Sequence, residues 1–195
     1  YNTNGALSRI TDGYDTNKYI VYYYSSTVSG SYTNGYSGYL RKIEYFNDGQ
    51  SLGYSLYNYN ANGLLTDTYD SVTGYKLNYT YTAYNGNQRV ASVTESVNNT
   101  NGQTVGFDYG DKTFTVRTSG KDDAYGTSDD LLTTYVFDDH GKATSAYSTD
   151  IQGNEVFGAS YAEFYPTDPG NEKNNKIKTS AVKGITHQNY FVDGN

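Results

Sequence analysis

Short runs of aromatic or β-branched residues recur along the chain, alternating with polar ones. Examples are Tyr19-Ile20-Val21-Tyr22-Tyr23-Tyr24 and Leu77-Asn78-Tyr79-Thr80-Tyr81. Runs of this length and composition favour strands. Between them fall the dipeptides Asn4-Gly5, Asp12-Gly13, Asn34-Gly35, Asp48-Gly49, Asn62-Gly63, Asn85-Gly86 and Asn101-Gly102. Asn-Gly and Asp-Gly suit type I′ turns, because both central residues need positive φ. Their recurrence about every 10–20 residues predicts successive antiparallel hairpins. Helix signals are poor almost everywhere, so the chain is expected to be all-β.

The hairpins also repeat one another. One unit reads Tyr57-Asn58-Tyr59-Asn60-Ala61-Asn62-Gly63-Leu64-Leu65, followed by Tyr69-Asp70 and Thr73-Gly74. A second has Tyr79-Thr80-Tyr81, Tyr84-Asn85-Gly86, Arg89-Val90 and Val93, closing at Asn101-Gly102. Others begin at Gly106-Phe107-Asp108-Tyr109-Gly110 and at Thr134-Tyr135-Val136-Phe137-Asp138-Asp139-His140-Gly141-Lys142, the latter closing at Asp150 and Gly153. Aromatic-x-aromatic puts two rings on one face of a strand, Asx and Gly make the turn, and Gly-x-Leu-x-x-Ile starts the return strand. That return signature stands alone at Gly5-Ala6-Leu7-Ser8-Arg9-Ile10 and Gly38-Tyr39-Leu40-Arg41-Lys42-Ile43. A single such hairpin cannot bury its aromatic row; stacked neighbours complete it.

In these residues the chain resembles the RHS or YD-repeat proteins of bacteria, related to the repeats of teneurins. The family pattern runs Tyr-x-Tyr-Asp-x-x-Gly-Arg-Leu and ends in Asp-x-x-Gly. Tyr135, Phe137, Asp138, Gly141 and Lys142 match it, as do Tyr57, Tyr59, Asn60, Gly63 and Leu65 with Asn in the Asp place. The resemblance implies long hairpins winding into a curved or spiralling sheet, here an open fragment of a shell. It also implies a large secreted or cell-surface bacterial protein. Copies are degenerate and irregularly spaced, and the self-cleaving core segment of toxin members is not visible. The hairpin array is expected over 1–165. A polar loop or linker is expected over 166–176, and one last strand within 177–195, Ile177 to Val182, ahead of a connector from Gly184. The start at Tyr1, without Met, adds the expectation of a segment from a longer chain.

Composition sharpens this reading. Leu, Ile, Val and Phe supply 34 of the 195 residues, about 17%, while Tyr alone supplies 25. That is below the ~20% aliphatic and Phe content that flags disorder. The net charge of −7 is nevertheless modest, and the apolar material has moved into a side chain that buries a ring while its hydroxyl stays hydrogen-bonded. Much half-wetted surface is expected, and no thick dry core. Only 14 Lys and Arg are scattered along an acidic chain, which argues against nucleic acid. No apolar run approaches the ~18 residues of a membrane-spanning helix. Cys is absent, which excludes disulfides and thiolate metal sites and fits a bacterial surface protein.

Candidate chemistry is sparse. His140 stands beside Asp138 and Asp139, but inside a turn where a polar residue is expected anyway, and His187 is alone. Nucleophile-elbow, zinc-protease and P-loop patterns are missing, so no catalytic residue is assigned and a non-catalytic role is expected. Four aspartates, Asp122, Asp123, Asp129 and Asp130, crowd one loop with Gly126 and would suit Ca²⁺; a solvated hairpin loop is the preferred reading. No other cofactor is expected. Tyr22, Tyr23 and Tyr24 break strict alternation, so a ring there would face outward and could bind a ligand. The leading expectation is a scaffold or shell segment whose partners are other repeats or modules of the parent chain. The alternative is a carbohydrate-binding module, with or without Ca²⁺, whose surface tyrosines would hold a glycan or a cell-surface protein.

Overall fold

A computed structural model describes residues 1–35, 38–120, 122, 124–164, 177–182 and 185–188, from 157 onward as backbone only. It shows fourteen strands and no helix among the described residues. The chain forms two compact units, Tyr1–Ala83 with Gln88–Gln103, and Tyr84–Asn87 with Thr104–Asn195. The first holds β1 (Arg9–Thr11), β2 (Lys18–Ser25), β3 (Tyr39–Asn47), β4 (Gln50–Tyr59) and β5 (Leu65–Asp70), with nearly all of β6 (Tyr75–Tyr84) and β7 (Asn87–Val97). The second holds most of β8 (Thr100–Tyr109), then β9 (Thr113–Thr118), β10 (Leu131–Phe137), β11 (Ala143–Asp150), β12 (Glu155–Phe164), β13 (Ile177–Val182) and β14 (Ile185–Gln188). Strands are hydrogen-bonded in the order in which the chain makes them. The pairings of β1 through β6 and of β8 through β14 are antiparallel, as consecutive hairpins require.

The turns divide into two chemical kinds. Asp48-Gly49, Asn85-Gly86 and Asn98-Asn99 have both residues at positive φ, the two-residue hairpin geometry expected of Asx-Gly. Asn101-Gly102, read from sequence as a turn, lies within β8 instead; Asn98-Asn99 takes the turn because Asn tolerates the left-handed region. Gly102 serves another purpose there, since a Cβ on it would meet the Glu95 side chain at 2.9 Å.

The second kind is the longer Asx-x-x-Gly turn. In Asn60-Ala61-Asn62-Gly63-Leu64, the Asn60 Oδ1 accepts the amides of Asn62 and Leu64, both at 3.0 Å. The Asn60 amide donates to the Leu64 carbonyl, and Gly63 donates back to the Asn60 carbonyl. Asn2 makes the same bonds with Asn4, Gly5 and Ala6, and Asp138 makes them with His140, Gly141 and Lys142. Asp150 repeats the pattern toward Gly153 and Asn154. Gly5, Gly63, Gly141 and Gly153 all sit at positive φ, 75° to 87°. The Asp-x-x-Gly signature is thus a backbone device: one acceptor oxygen satisfies amides that the tight turn leaves unpaired.

Turns at the same strand ends are joined to each other. In the first unit Asp48 donates its amide to the Asn17 carbonyl, Asn98 to that of Gly74, and the Asn2 and Asn4 side-chain amides to the carbonyls of Asn34 and Gly35. In the second the Phe137 amide donates to the Lys112 carbonyl at 2.8 Å. Packing is thin, as composition implied. Val21 and Ala146 are the buried apolar side chains among the described residues. Cross-strand aromatic rows stand in for a core: Tyr19 stacks on its register partner Phe46 at 4.9 Å, with the Arg9 guanidinium 3.7 Å above the Tyr19 ring. In the second unit Phe114 lies 5.4 Å from Tyr109 and 6.5 Å from Tyr135, its partners on either side.

Candidate functional site

The aromatic-x-aromatic motif has a use that its spacing alone does not reveal. Tyr59 donates its hydroxyl to the Leu40 carbonyl at 2.9 Å. Tyr24 does the same to Leu7 at 2.9 Å, and Tyr81 to Leu65 at 2.7 Å. Each acceptor is the leucine of a Gly-x-Leu return signature, at Gly5, Gly38 and Gly63. The ring on one strand therefore bonds to the backbone of the neighbouring strand segment before it in the chain. Desolvation raises all three phenols above their ordinary pKa, which keeps the donor protonated. Tyr59 is further held by Tyr39, whose ring centre lies 5.1 Å away. Sequence periodicity shows a shared face, but not a hydroxyl reaching 16–19 residues back in the chain.

Tyr22, Tyr23 and Tyr24 are all half-buried. The register shifts between Tyr23 and Tyr24, and this irregularity lets consecutive rings sit in one strand. Tyr24 is engaged with Leu7. Tyr23 meets the Tyr32 ring edge-on at 6.3 Å, with the Lys42 ammonium 5.4 Å from its own ring. Desolvation and the neighbouring Glu44 carboxylate raise its pKa. Tyr22 is in register with Ile43.

The aspartate loop joins β9 to β10, and its members do different things. Asp123 lies outside the described residues. Asp122 Oδ1 accepts the Ala124 amide at 2.9 Å, and Asp129 accepts the Asp122 amide and the Thr127 hydroxyl, at 3.2 and 2.7 Å. Asp130 is buried, 1% exposed. Its Oδ2 accepts from Arg117 Nε at 2.7 Å and from the Gly126 amide at 2.8 Å. Burial alone would push this carboxyl up, but the Gly126 amide and the Arg117 guanidinium outweigh it and hold it below the usual carboxylate value. The Tyr125 ring covers Arg117 from 4.7 Å and also overlies Gly106, where any Cβ would strike its hydroxyl. Gly106 and Arg117 are cross-strand partners, so the glycine makes room for the ring. Among the described residues no three of His, Cys, Asp and Glu come together in a metal-holding group. Asp122, Asp129 and Asp130 are turned toward loop backbone, Thr127 and Arg117.

His140 is exposed, and its amide donates to Asp138 as part of the turn. His187 falls in β14, in register with Ser180. The polar segment 166–176 lies outside the described residues. An apolar cleft of about 340 Å³ opens in the first unit beside Ile10, Ile20, Tyr45 and Leu52. A larger one, part aromatic and part charged, opens among the turns of the second unit beside Tyr84, Lys112 and Phe137. Comparison of the chain with known protein-family models and with curated proteins returns no match.

Proposed function

We propose that this chain is a non-catalytic scaffold segment of a large secreted or cell-surface bacterial protein of the RHS type. The observation that carries the reading is what the motif residues do. Of the residues on which the resemblance rests, Tyr59 and Leu65 take part in hydroxyl bonds between neighbouring strands, and Asn60, Gly63, Asp138, Gly141 and Lys142 close the turns. Such an array extends by adding units that need only their neighbours. Its partners on this reading are further repeats and modules of the parent protein. The alternative, a module reading glycans with Tyr22, Tyr23 and Tyr24, has less support, because the Tyr24 hydroxyl and the Tyr23 ring are already engaged inside the sheet. Ca²⁺ binding by Asp122, Asp123, Asp129 and Asp130 likewise has less support than the loop-building role of Asp122, Asp129 and Asp130, with Arg117 occupying Asp130.

An antibody against this chain, applied to intact and to lysed cells of the producing bacterium, tests the reading. Surface labelling that protease removes from intact cells is expected. Antigen confined to the cytosol would contradict it, as would purified chain that hydrolyses glycan, peptide or ester substrates.

A further inference from the structure

The sheet of the first unit divides its charged and apolar side chains between two faces. Cross-strand partners share a face, and so do residues two apart along a strand. Register therefore places Ile10, Ile20 and Tyr45 in one row, with Tyr22 and Ile43, then Tyr57 and Leu77, in the rows beside it on the same side. Asp70 belongs to the row of Tyr22, but its Oδ1 is turned onto the Val72 and Thr73 amides. The ion pair of Lys18 with Asp15 stands at the border of this face. The opposite face holds the Lys42–Glu44 pair at 2.8 Å, the Lys76–Asp67 pair at 3.5 Å, and Arg9 over the Tyr19 ring. On the apolar side Ile10 is 46% exposed, Leu52 62% and Val72 68%.

We propose that this apolar face packs against the same face of a second copy of the chain, two sheets stacked about a two-fold axis. Shape supports it first. A cleft of about 340 Å³ opens on this face beside Ile10, Ile20, Tyr45 and Leu52. Next to it stands a knob: Val72 covers Gly53, the cross-strand partner of Tyr45, so closely that a Cβ on Gly53 would strike it. A knob and a hollow side by side suit an isologous contact, in which each copy gives and receives the same surface. Charge supports it next, because the rows named here can meet their own copies without opposing like charges. Area supports it last. At about 4.8 Å between strands and 3.3 Å per residue, these rows across β1 to β6 cover about 500 Å². Two copies therefore bury about 1,000 Å², the lower bound of a specific interface and the size of a weak, concentration-dependent dimer. A single helix, about 10 Å wide, covers only two strands of such a face, whereas a second sheet covers all of it. The proposal does not depend on the scaffold reading.

Analytical ultracentrifugation of the intact chain, from about 5 to 500 μM, tests it. A monomer–dimer equilibrium is expected within this range. Leu52→Asp and Ile10→Lys each put a charge into the contact and should weaken association at least tenfold, while Lys76→Ala on the opposite face should leave it unchanged. Leu52 and Ile10 are exposed in the single chain, so both variants should fold, and each is compared with the parent at equal circular dichroism. Added salt screens the net charge of −7 on each copy and should leave the dimer as strong or stronger. The proposal is overturned if the chain stays monomeric throughout, if both Leu52→Asp and Ile10→Lys associate like the parent, if Lys76→Ala weakens the dimer as much as they do, or if salt dissociates it. A monomer that binds an apolar dye, with the dye lost in Leu52→Asp, would assign the face to another occupant and overturn it too. Any of these outcomes leaves surface display of the chain unaffected.

Discussion

Tyr24, Tyr59 and Tyr81 each hold a leucine carbonyl of the preceding strand segment, and removing one oxygen separates that role from the packing of the ring. Tyr59→Phe keeps the contact with Tyr39 and leaves the Leu40 carbonyl without its donor. A loss of about 0.5–1.5 kcal/mol is expected in urea unfolding. The pair Arg117 and Asp130 should behave differently. Arg117→Ala strands a carboxylate that is shut off from water, and breaking a buried pair from one side costs about 3–5 kcal/mol. The same measurement distinguishes the two sizes of effect. Neither interaction was legible in the sequence. Arg117 was one of 14 scattered cations, and only the strand register brings it under Tyr125 and against Asp130.

At the scale of turns and strands, the acceptor in the Asx-x-x-Gly turn is Asn in Asn2 and Asn60 but Asp in Asp138 and Asp150. The geometry is the same, yet only the aspartates titrate. Backbone amides hold Asp138 below its ordinary value, Lys142 contributing most, and bonds from Asn154 do so for Asp150. A carboxyl depressed in the folded state adds stability above its unfolded pKa of about 3.9, and that stability is lost as pH falls through the folded value. Asp12, Glu44, Asp70 and Asp130 are depressed as well. The melting temperature is therefore expected to change little between pH 5 and 8 from these groups, and to fall below about pH 4. Asp138→Asn should shrink that acid-induced drop while leaving the turn intact; a drop identical to the parent's would refute the assignment.

The turn glycines allow a second comparison at this scale. Gly141→Ala meets open space and suffers only the left-handed backbone, about 1–2 kcal/mol. Gly63→Ala suffers that and also presses on the Tyr39 hydroxyl, 2.7 Å from the added carbon, so it should be the more destabilising of the two in thermal melts. Strand order and most turns were readable from sequence because Asx-Gly chemistry is local. The Asn101-Gly102 reading failed on the same ground: two turn-competent pairs lie three residues apart, local chemistry does not choose between them, and the chain turns at Asn98-Asn99. The aromatic rows were legible as period-two spacing. The carbonyls that their hydroxyls seek were not, because they lie 16–19 residues back, on the neighbouring strand segment.

For the whole molecule, the account is of a sheet assembled hairpin by hairpin, with little dry core and with tyrosine hydroxyls as its struts. Each strand leans on its sequence neighbours, so stability should grade along the sheet instead of residing in one centre. Amides of β1, which has three exposed residues and one partner, should exchange with deuterium faster than those of β3. The claim that these tyrosines are structural is tested most directly by urea unfolding of the triple variant Tyr24→Phe, Tyr59→Phe, Tyr81→Phe. The three changes lie on different hairpin pairs, so a combined loss of roughly 1.5–4.5 kcal/mol with the strand spectrum retained is the expected result. Stability equal to that of the parent would contradict it, and would mean that the hydroxyls are kept for something other than holding the sheet.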